Sequence, residues 1–261
     1  MKELTDIQNS TDHRQIPIDR VGVKGLRYPI EIADKENRVQ PTVAEIALAV
    51  DLPEHYKGTH MSRFVEVLNS HGPRLDVHSI AKIPKELLQR LESSRVHCTF
   101  EFPFFRSKAA PVSQKEGLLD YQIRFEVELD KSGERDFIVT VMVPVTTLCP
   151  CSKAISEYGA HNQRGVVTFS VRFSDGPIWI EDLIELVETS ASAQLYSLLK
   201  RPDEKFVTEQ AYDNPVFVED LVRNVAGKAN AQSGISWYRV EAENFESIHN
   251  HNAYAMIEHS K

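Results

Sequence analysis

Cysteine is scarce in this 261-residue chain: there are three, an odd number, which argues against a disulfide framework and excludes a four-cysteine zinc site within one chain. Long apolar runs are missing as well. No stretch approaches the roughly 20 apolar residues that cross a bilayer. The opening segment "MKELTDIQNSTDHRQ" is polar throughout and lacks the apolar centre of a secretory signal, so the expected compartment is cytoplasmic. Positive charge is also short. The formal net charge is −8 and the basic residues are scattered, whereas a phosphate-tracking surface needs a basic stripe; a general nucleic-acid role is therefore not expected. An anionic small molecule would need a local cluster of Lys, Arg or backbone N–H groups. What remains is ordinary for a soluble globular protein, with 41% hydrophobic and 26% charged residues. The length fits either one large domain or two ordinary ones.

Hydrophobic periodicity orders the second half of the chain. "YQIRFEVEL" (121–129) alternates apolar and polar residues, as a strand with one buried face does. "DKSGE" reads as a turn and "FIVTVMVPV" (137–145) as a more fully buried strand, which together predict a hairpin. "GVVTFSVRF" (165–173) alternates again, with Val167, Phe169, Val171 and Phe173 on one face. The period then changes: Ile180, Leu183, Ile184, Val187 and Ala191 predict an amphipathic helix running to about Leu199. Asn214 and Pro215 predict the start of a second helix whose buried stripe is Val218, Leu221, Val222 and Val225. Strands return at "SWYRVEAENFE" and "AYAMIE".

The first half reads similarly. "LRYPIEI" and "TVAEIALAV" resemble strands, "HMSRFVEVLNS" and "PKELLQRLESS" helices, and "VHCTFEFPFF" an extended segment. Both halves then run strand, strand, helix, helix, strand, strand, one unit used twice without obvious sequence identity. Antiparallel strands with helices on one face make an α+β sheet whose half-polar opposite face needs a cover. Closure into a barrel with another subunit supplies one, so an oligomer is expected.

The chemistry concentrates in "TTLCPCSKAISEYGAHNQRG" (146–165). Cys149 and Cys151 flank Pro150, and three readings stand: buried packing thiols, a redox Cys-x-Cys pair, or metal ligation. The polar neighbours Thr146, Thr147, Ser152, Lys153 and Ser156 favour a ligand or nucleophile. His161 lies between Gly159 and Gly165, which let the chain bend near an ion or substrate. Thiolate and imidazole together suit zinc or a related transition ion, with a carboxylate as a third ligand and one position open to water. In "ENFESIHNHNAYA" (243–255), His249 and His251 face the same way in an extended run and suit proton transfer. A glutamate there suits paired N–H groups of a planar heterocycle; the plain alternative is a polar strand end. Between residues 200 and 220, Glu204 or Glu219 could turn inward, and spacing does not choose between them. "GTHMSRF" (58–64) puts His60, Ser62 and Arg63 at a helix start, where backbone N–H groups attract anions; capping by Ser62 or Thr59 is the competing role.

Read together, these stretches resemble type IB GTP cyclohydrolase. The resemblance rests on "IPIDRVGVKGLRYPI", "YKGTHMSRFVEVLN", "VPVTTLCPCSKAISEYGAHNQRG", "LYSLLKRPDEKFVTEQAYDNPVFVED" and "EAENFESIHNH", spanning about residues 16 to 255. It implies a bimodular tunnelling fold: an irregular segment 1–25, then modules 26–130 and 131–261, with helix pairs on one face of antiparallel sheets. It implies a homotetramer that closes barrels, with active sites at subunit boundaries. It also implies one divalent metal ion per site (Zn2+, Mn2+ or Fe2+), held by Cys149, His161 and Glu204, although Asp203 stands next to that glutamate. Catalytic roles fall to Cys149, Glu219, His249 and His251, the last three handling protons. Glu246 anchors guanine, and His60, Ser62 and Arg63 are candidates for the triphosphate. The implied reaction converts GTP and water to formate and 7,8-dihydroneopterin triphosphate. Two rivals are a nitrile reductase of the same fold group, using a covalent cysteine and NADPH, and a binding module with a structural metal.

Overall fold

The computed structural model describes residues 6–8, 10–36, 38–74, 80, 82–174 and 179–261. In chain order its elements are β1 (Ile18–Ala33), β2 (Val39–Leu52), α1 (Met61–His71), α2 (Lys82–Leu91), β3 (Arg95–Ala109), β4 (Glu116–Asp130) and β5 (Arg135–Leu148). There follow α3 (Pro150–Ile155), β6 (Asn162–Phe173), α4 (Ile180–Glu188), β7 (Ala193–Gln194), α5 (Arg201–Asp213), α6 (Val218–Ala231), β8 (Ile235–Asn244) and β9 (Ala253–Ser260). The result is an antiparallel, sheet-rich α+β fold. Among the described residues no helix is long and apolar enough to cross a membrane. The chain divides into two compact units.

The first unit comprises Met1–Ala33, Asn37–Phe102 and Arg124–Ile138. Alternation decides its core. Ala44, Ile46, Leu48, Val50 and Leu52 of β2 are buried, as are Val96, Cys98, Phe100 and Phe102 of β3, while Glu45 and Glu101, paired across the ladder, face outward. Each fully buried aliphatic or aromatic side chain contributes about 1.5–3 kcal/mol. Phe125 meets Phe102 edge-on at 5.2 Å and Phe137 at 5.6 Å. Phe64, Val67 and Leu68 of α1 and Ile83 and Leu87 of α2 supply the buried helical stripes. Gly22 sits opposite Ala49 beside two register shifts, where an added Cβ would come within 1.9 Å of the Leu48 carbonyl oxygen. Only glycine permits that approach of β1 to β2.

The second unit comprises Asp34–Glu36, Pro103–Ile123 and Val139–Lys261. Its β5 and β6 pair from Val139↔Val171 to Leu148↔Asn162, β6 pairs β8 with Gly165 opposite Asn244, and β8 pairs β9 with Asn244 opposite Ala253. Leu183, Ile184 and Val187 of α4 and Leu221, Val222, Val225 and Ala229 of α6 bury the helical face. Charged side chains are also buried in this interior. Glu188, 2% exposed, accepts from Lys108 Nζ at 2.7 Å and from the Tyr121 hydroxyl at 2.6 Å, so the buried carboxylate is paired. Burial lowers the Lys108 pKa against the opposing pull of Glu188, and burial, reinforced by Glu188, raises that of Tyr121.

Two local expectations need correction. The helix predicted to reach Leu199 stops at Glu188, because the chain turns at Ser190–Ser192 and β7 pairs with β5. Its Ser192 hydroxyl accepts the Leu148 N–H at 3.0 Å. The acid-rich stretch after Lys200 is itself a helix, α5, and Asn214 closes it: its side-chain amide donates to the Ala191 carbonyl at 3.0 Å, and α6 begins only at Val218. The polar segment after Cys149, for which the sequence gives no helical period, is the short helix α3. With α3, β7 and α5 set aside as insertions, the doubled order of strands and helices stands in both halves of the chain.

Candidate active site

Where β5 ends, Cys149 takes the N-cap position of α3, Pro150 fits the first turn, and the Cys149 sulfur accepts the Ser152 N–H at 3.4 Å. The Cys149 N–H donates to the His161 carbonyl at 3.1 Å and the His161 N–H donates to Ser152 Oγ at 3.2 Å. These bonds bring together two residues that are twelve positions apart. Cys151, one residue into the helix, is exposed, and Cys98 is buried in the first unit, where burial pushes its thiol pKa up. Packing is thus the role of Cys98 alone.

A cleft of about 270 Å³ opens at this point, lined by Cys149, His161, Gln163, Val216, Phe217, Val218, Glu219, Asn244, Glu246, His249, His251 and Ala253. The sheet and α6 build it together. The Val216 N–H donates to the Leu148 carbonyl at 3.0 Å, which holds the entry to α6 against the end of β5, and Glu219 follows in the first helical turn. After β8, the Phe245 N–H donates to the Arg164 carbonyl at 2.9 Å. The Asn252 amide donates to Glu243 Oε1 at 2.7 Å and closes the loop that carries Glu246, His249 and His251. The two histidine rings stack with centroids 5.1 Å apart.

Gln163, 8% exposed, organises the floor. Its Nε2 donates to Thr147 Oγ1 at 3.1 Å and to Glu246 Oε1 at 3.4 Å, which leaves Oε1 facing His161 Nδ1 at 3.1 Å. Ser247 Oγ at 3.5 Å and Glu246 Oε2 at 3.9 Å lie near the same ring nitrogen. The Gln163 and Glu246 oxygens favour a proton on Nδ1 and therefore a free lone pair on Nε2, the arrangement that orients a metal-ligating imidazole.

The donor types fit a thiophilic divalent ion at two positions, the Cys149 sulfur and His161 Nε2. Among the described residues, no group of three His, Cys, Asp or Glu side chains is placed to hold a metal ion. Glu204 is exposed on α5 and does not line the cleft. Its neighbour Asp203 is fully buried and accepts from the Val112 N–H, the Ser113 N–H and the Lys200 N–H at 2.8 Å each and from Ser113 Oγ at 2.6 Å. Burial raises the carboxyl pKa, but these bonds outweigh it and hold the group well below the usual carboxylate range. Asp203 is a helix cap, and the 100° step of the helix carries Glu204 outward.

The remaining predicted residues belong to the first unit. His60 precedes α1 and lies 3.2 Å from Asp6, and Arg63 donates to the Arg90 carbonyl at 3.0 Å. No side-chain cap occurs at this helix start, so neither Thr59 nor Ser62 fills that role. Gln163, Asn244 and Phe217 were not singled out from sequence. Gln163 had a usable signal, because a residue two beyond His161 at a strand start shares its face.

A model of one protein family, described as "Type I GTP cyclohydrolase folE2", matches residues 4–255. A protein of Akkermansia muciniphila named GTP cyclohydrolase FolE2 is 68% identical over 99% of this chain and 98% of its own. One of the same name from Nitrosococcus oceani is 54% identical over 100% of this chain and 97% of its own. Among solved structures, urate oxidase from Bacillus subtilis shares the fold, with a TM-score of 0.56 at 8% identity over 93% of this chain and 98% of that one.

Proposed function

The chain belongs to the type I GTP cyclohydrolase folE2 family, and from the cleft just described we propose how it carries out that reaction. As a GTP cyclohydrolase of folate biosynthesis it hydrolyses GTP at guanine C8, releasing formate and forming 7,8-dihydroneopterin triphosphate. The observation that carries the mechanism is the convergence of Cys149, His161, Glu219, Glu246, His249 and His251 on one cleft.

Glu246 is 11% exposed at its side chain, and its carboxylate accepts two N–H groups from one edge of guanine, which turns C8 away from that edge. Gln163 holds both Glu246 and His161, so base and imidazole keep a fixed relation. Cys149 and His161 would hold one divalent ion, with Glu204, which stands exposed outside the cleft in this structure, proposed as the third ligand once the ion is bound: zinc is favoured by the thiolate and imidazole, and manganese or iron by the carboxylate. Such an ion would supply Lewis acidity toward a water. Glu219, His249 and His251 then move protons as the imidazole ring opens, formate leaves, and the ribose rearranges and closes onto the exposed amine. The stacked histidines are exposed and can exchange protons with solvent.

The triphosphate must be neutralised locally on a chain of net charge −8. His60, Ser62 and Arg63, reaching in across a subunit boundary, are the proposed contacts, since a guanidinium bonded to one carbonyl keeps further N–H donors. The same reading makes segments 26–130 and 131–261 the two modules of a tunnelling fold. A cytoplasmic homotetramer of such chains closes its sheets into barrels. Metal-loaded protein incubated with GTP tests the function: equal yields of formate and oxidisable fluorescent pterin are expected, and intact GTP contradicts it.

A further inference from the structure

Asn244 stands out in the cleft as a polar side chain without a role. It is 2% exposed, and its Oδ1 has no hydrogen-bond partner among the described residues. A buried unpaired acceptor costs about 1–3 kcal/mol, so a residue kept there calls for a compensating interaction. The sheet makes room for it. Asn244 ends β8 opposite Gly165 of β6, and a Cβ on Gly165 would lie 2.5 Å from that Oδ1. With Oδ1 pressed against Gly165, the amide nitrogen is the edge left for the cleft that Asn244 lines.

The other cleft side chains narrow what that nitrogen is for. Glu219 and Glu246 only accept hydrogen bonds when ionised. Gln163 Nε2 is engaged by Thr147 and Glu246, and His161 Nδ1 by Gln163. Asn244, the last residue of β8, and Glu246, two residues on, line the same cleft, so a heterocycle held by Glu246 lies in the space that Asn244 also borders. In guanine, the groups a carboxylate takes are N1–H and the 2-amino group, and the atom beside N1 is the acceptor O6. Adenine carries a donor there instead.

We propose that Asn244 is a specificity-determining residue whose side-chain amide donates to O6 of the bound guanine. The assignment rests on the guanine-binding cleft proposed above. Glu246 alone would hold any ring offering two adjacent N–H groups, and Asn244 adds the demand for an acceptor at position 6. Gly165 is the structural condition for this placement, since a side chain there would meet Oδ1.

The test compares GTP with 6-thio-GTP, which keeps N1–H and the 2-amino group but replaces O6 by sulfur, a poor acceptor. For the metal-loaded wild type, kcat/KM is expected to favour GTP by about 10-fold, the scale of one neutral hydrogen bond. In Asn244→Leu the ratio falls to about 1, through a rise in KM for GTP with kcat little changed. The thermal midpoint of this variant does not drop, because leucine removes the unpaired acceptor. A wild type indifferent to the thio substitution, or a variant that keeps the 10-fold ratio, overturns the assignment. Asn244→Asp, of the same size, serves if the leucine variant does not fold; it turns the donor edge into an acceptor and must also abolish the preference. Absence of formate release from GTP by the wild type would instead sink the cyclohydrolase mechanism itself, which the ratio does not report.

Discussion

At the scale of single residues, the site depends on contacts that hold a few polar groups in one orientation each. Cys149 is both the N-cap of α3 and one of two soft donors facing the cleft. Loss of an outer-shell partner typically costs 10–100-fold in metal affinity or activity. Cys149→Ala removes a proposed ligand itself, so bound metal measured by elemental analysis should fall well below that of the wild type, and formate release by more than about 100-fold. Metal content equal to that of the wild type would remove the assignment. Gly165 tests the packing beneath the site. A methyl group there meets Asn244 Oδ1 at 2.5 Å and the Glu243 carbonyl oxygen at 3.2 Å. Gly165→Ala should therefore destabilise the fold by about 1–3 kcal/mol in denaturant unfolding, as overpacking does. An unchanged midpoint would mean that β8 yields easily.

Among the elements, α5 carries a buried structural acid next to an exposed one proposed as a metal ligand. Asp203 accepts four hydrogen bonds and ties α5 to Val112 and Ser113, whereas Glu204 is exposed. Asp203→Ala should cost about 1–3 kcal/mol of stability, and Glu204→Ala close to none, while only the second should lower metal content without loosening the fold. Thermal melts paired with metal analysis check both. In the first unit, Asp51 at the end of β2 accepts the Ser94 N–H at 2.8 Å, the Arg95 N–H at 2.6 Å and the Ser94 hydroxyl. Burial raises its pKa, but these bonds prevail and lower it. The sign follows: a carboxyl with a depressed folded pKa adds stability above its unfolded value near 4, and loses it as pH falls through the folded value. Asp51→Asn should be less stable than the wild type above pH about 4 and converge with it below, in melting curves recorded across that range.

The same elements show where sequence reading succeeds and where it stops. The alternation of β4, β5 and β6 is legible because one face is buried and the other is not. No such stripe marks α5, whose buried residues are Asp203 and Ala211, so its period is invisible without the cap it makes. The end of α4 is hidden because apolar spacing continues through Ala191 while the backbone turns to pair with β5. Cys149 and His161 stand out by residue type. Gln163 and Asn244 do not, since a buried polar residue acquires meaning only once the sheet register sets its neighbours.

At the scale of the whole molecule, the family match spans nearly the full chain, and the cleft lies in the second unit. A larger cleft, about 540 Å³, lies on the first unit and is lined by Arg20, Lys24, Glu45, His97, Glu101 and Arg124 among others. It contains no thiol, and its charged residues include the salt-bridged pair Arg124–Glu101 at 2.8 Å, so volume alone does not mark the reaction site. The central claim is that a divalent ion gripped by Cys149 and His161 is required to open GTP. Formate released from GTP by the metal-loaded protein, measured before and after chelation and again after a divalent ion is restored, tests it most directly. One formate per GTP, lost on chelation and regained with metal, is the predicted result. Formate release that continues undiminished in the fully chelated protein would contradict it.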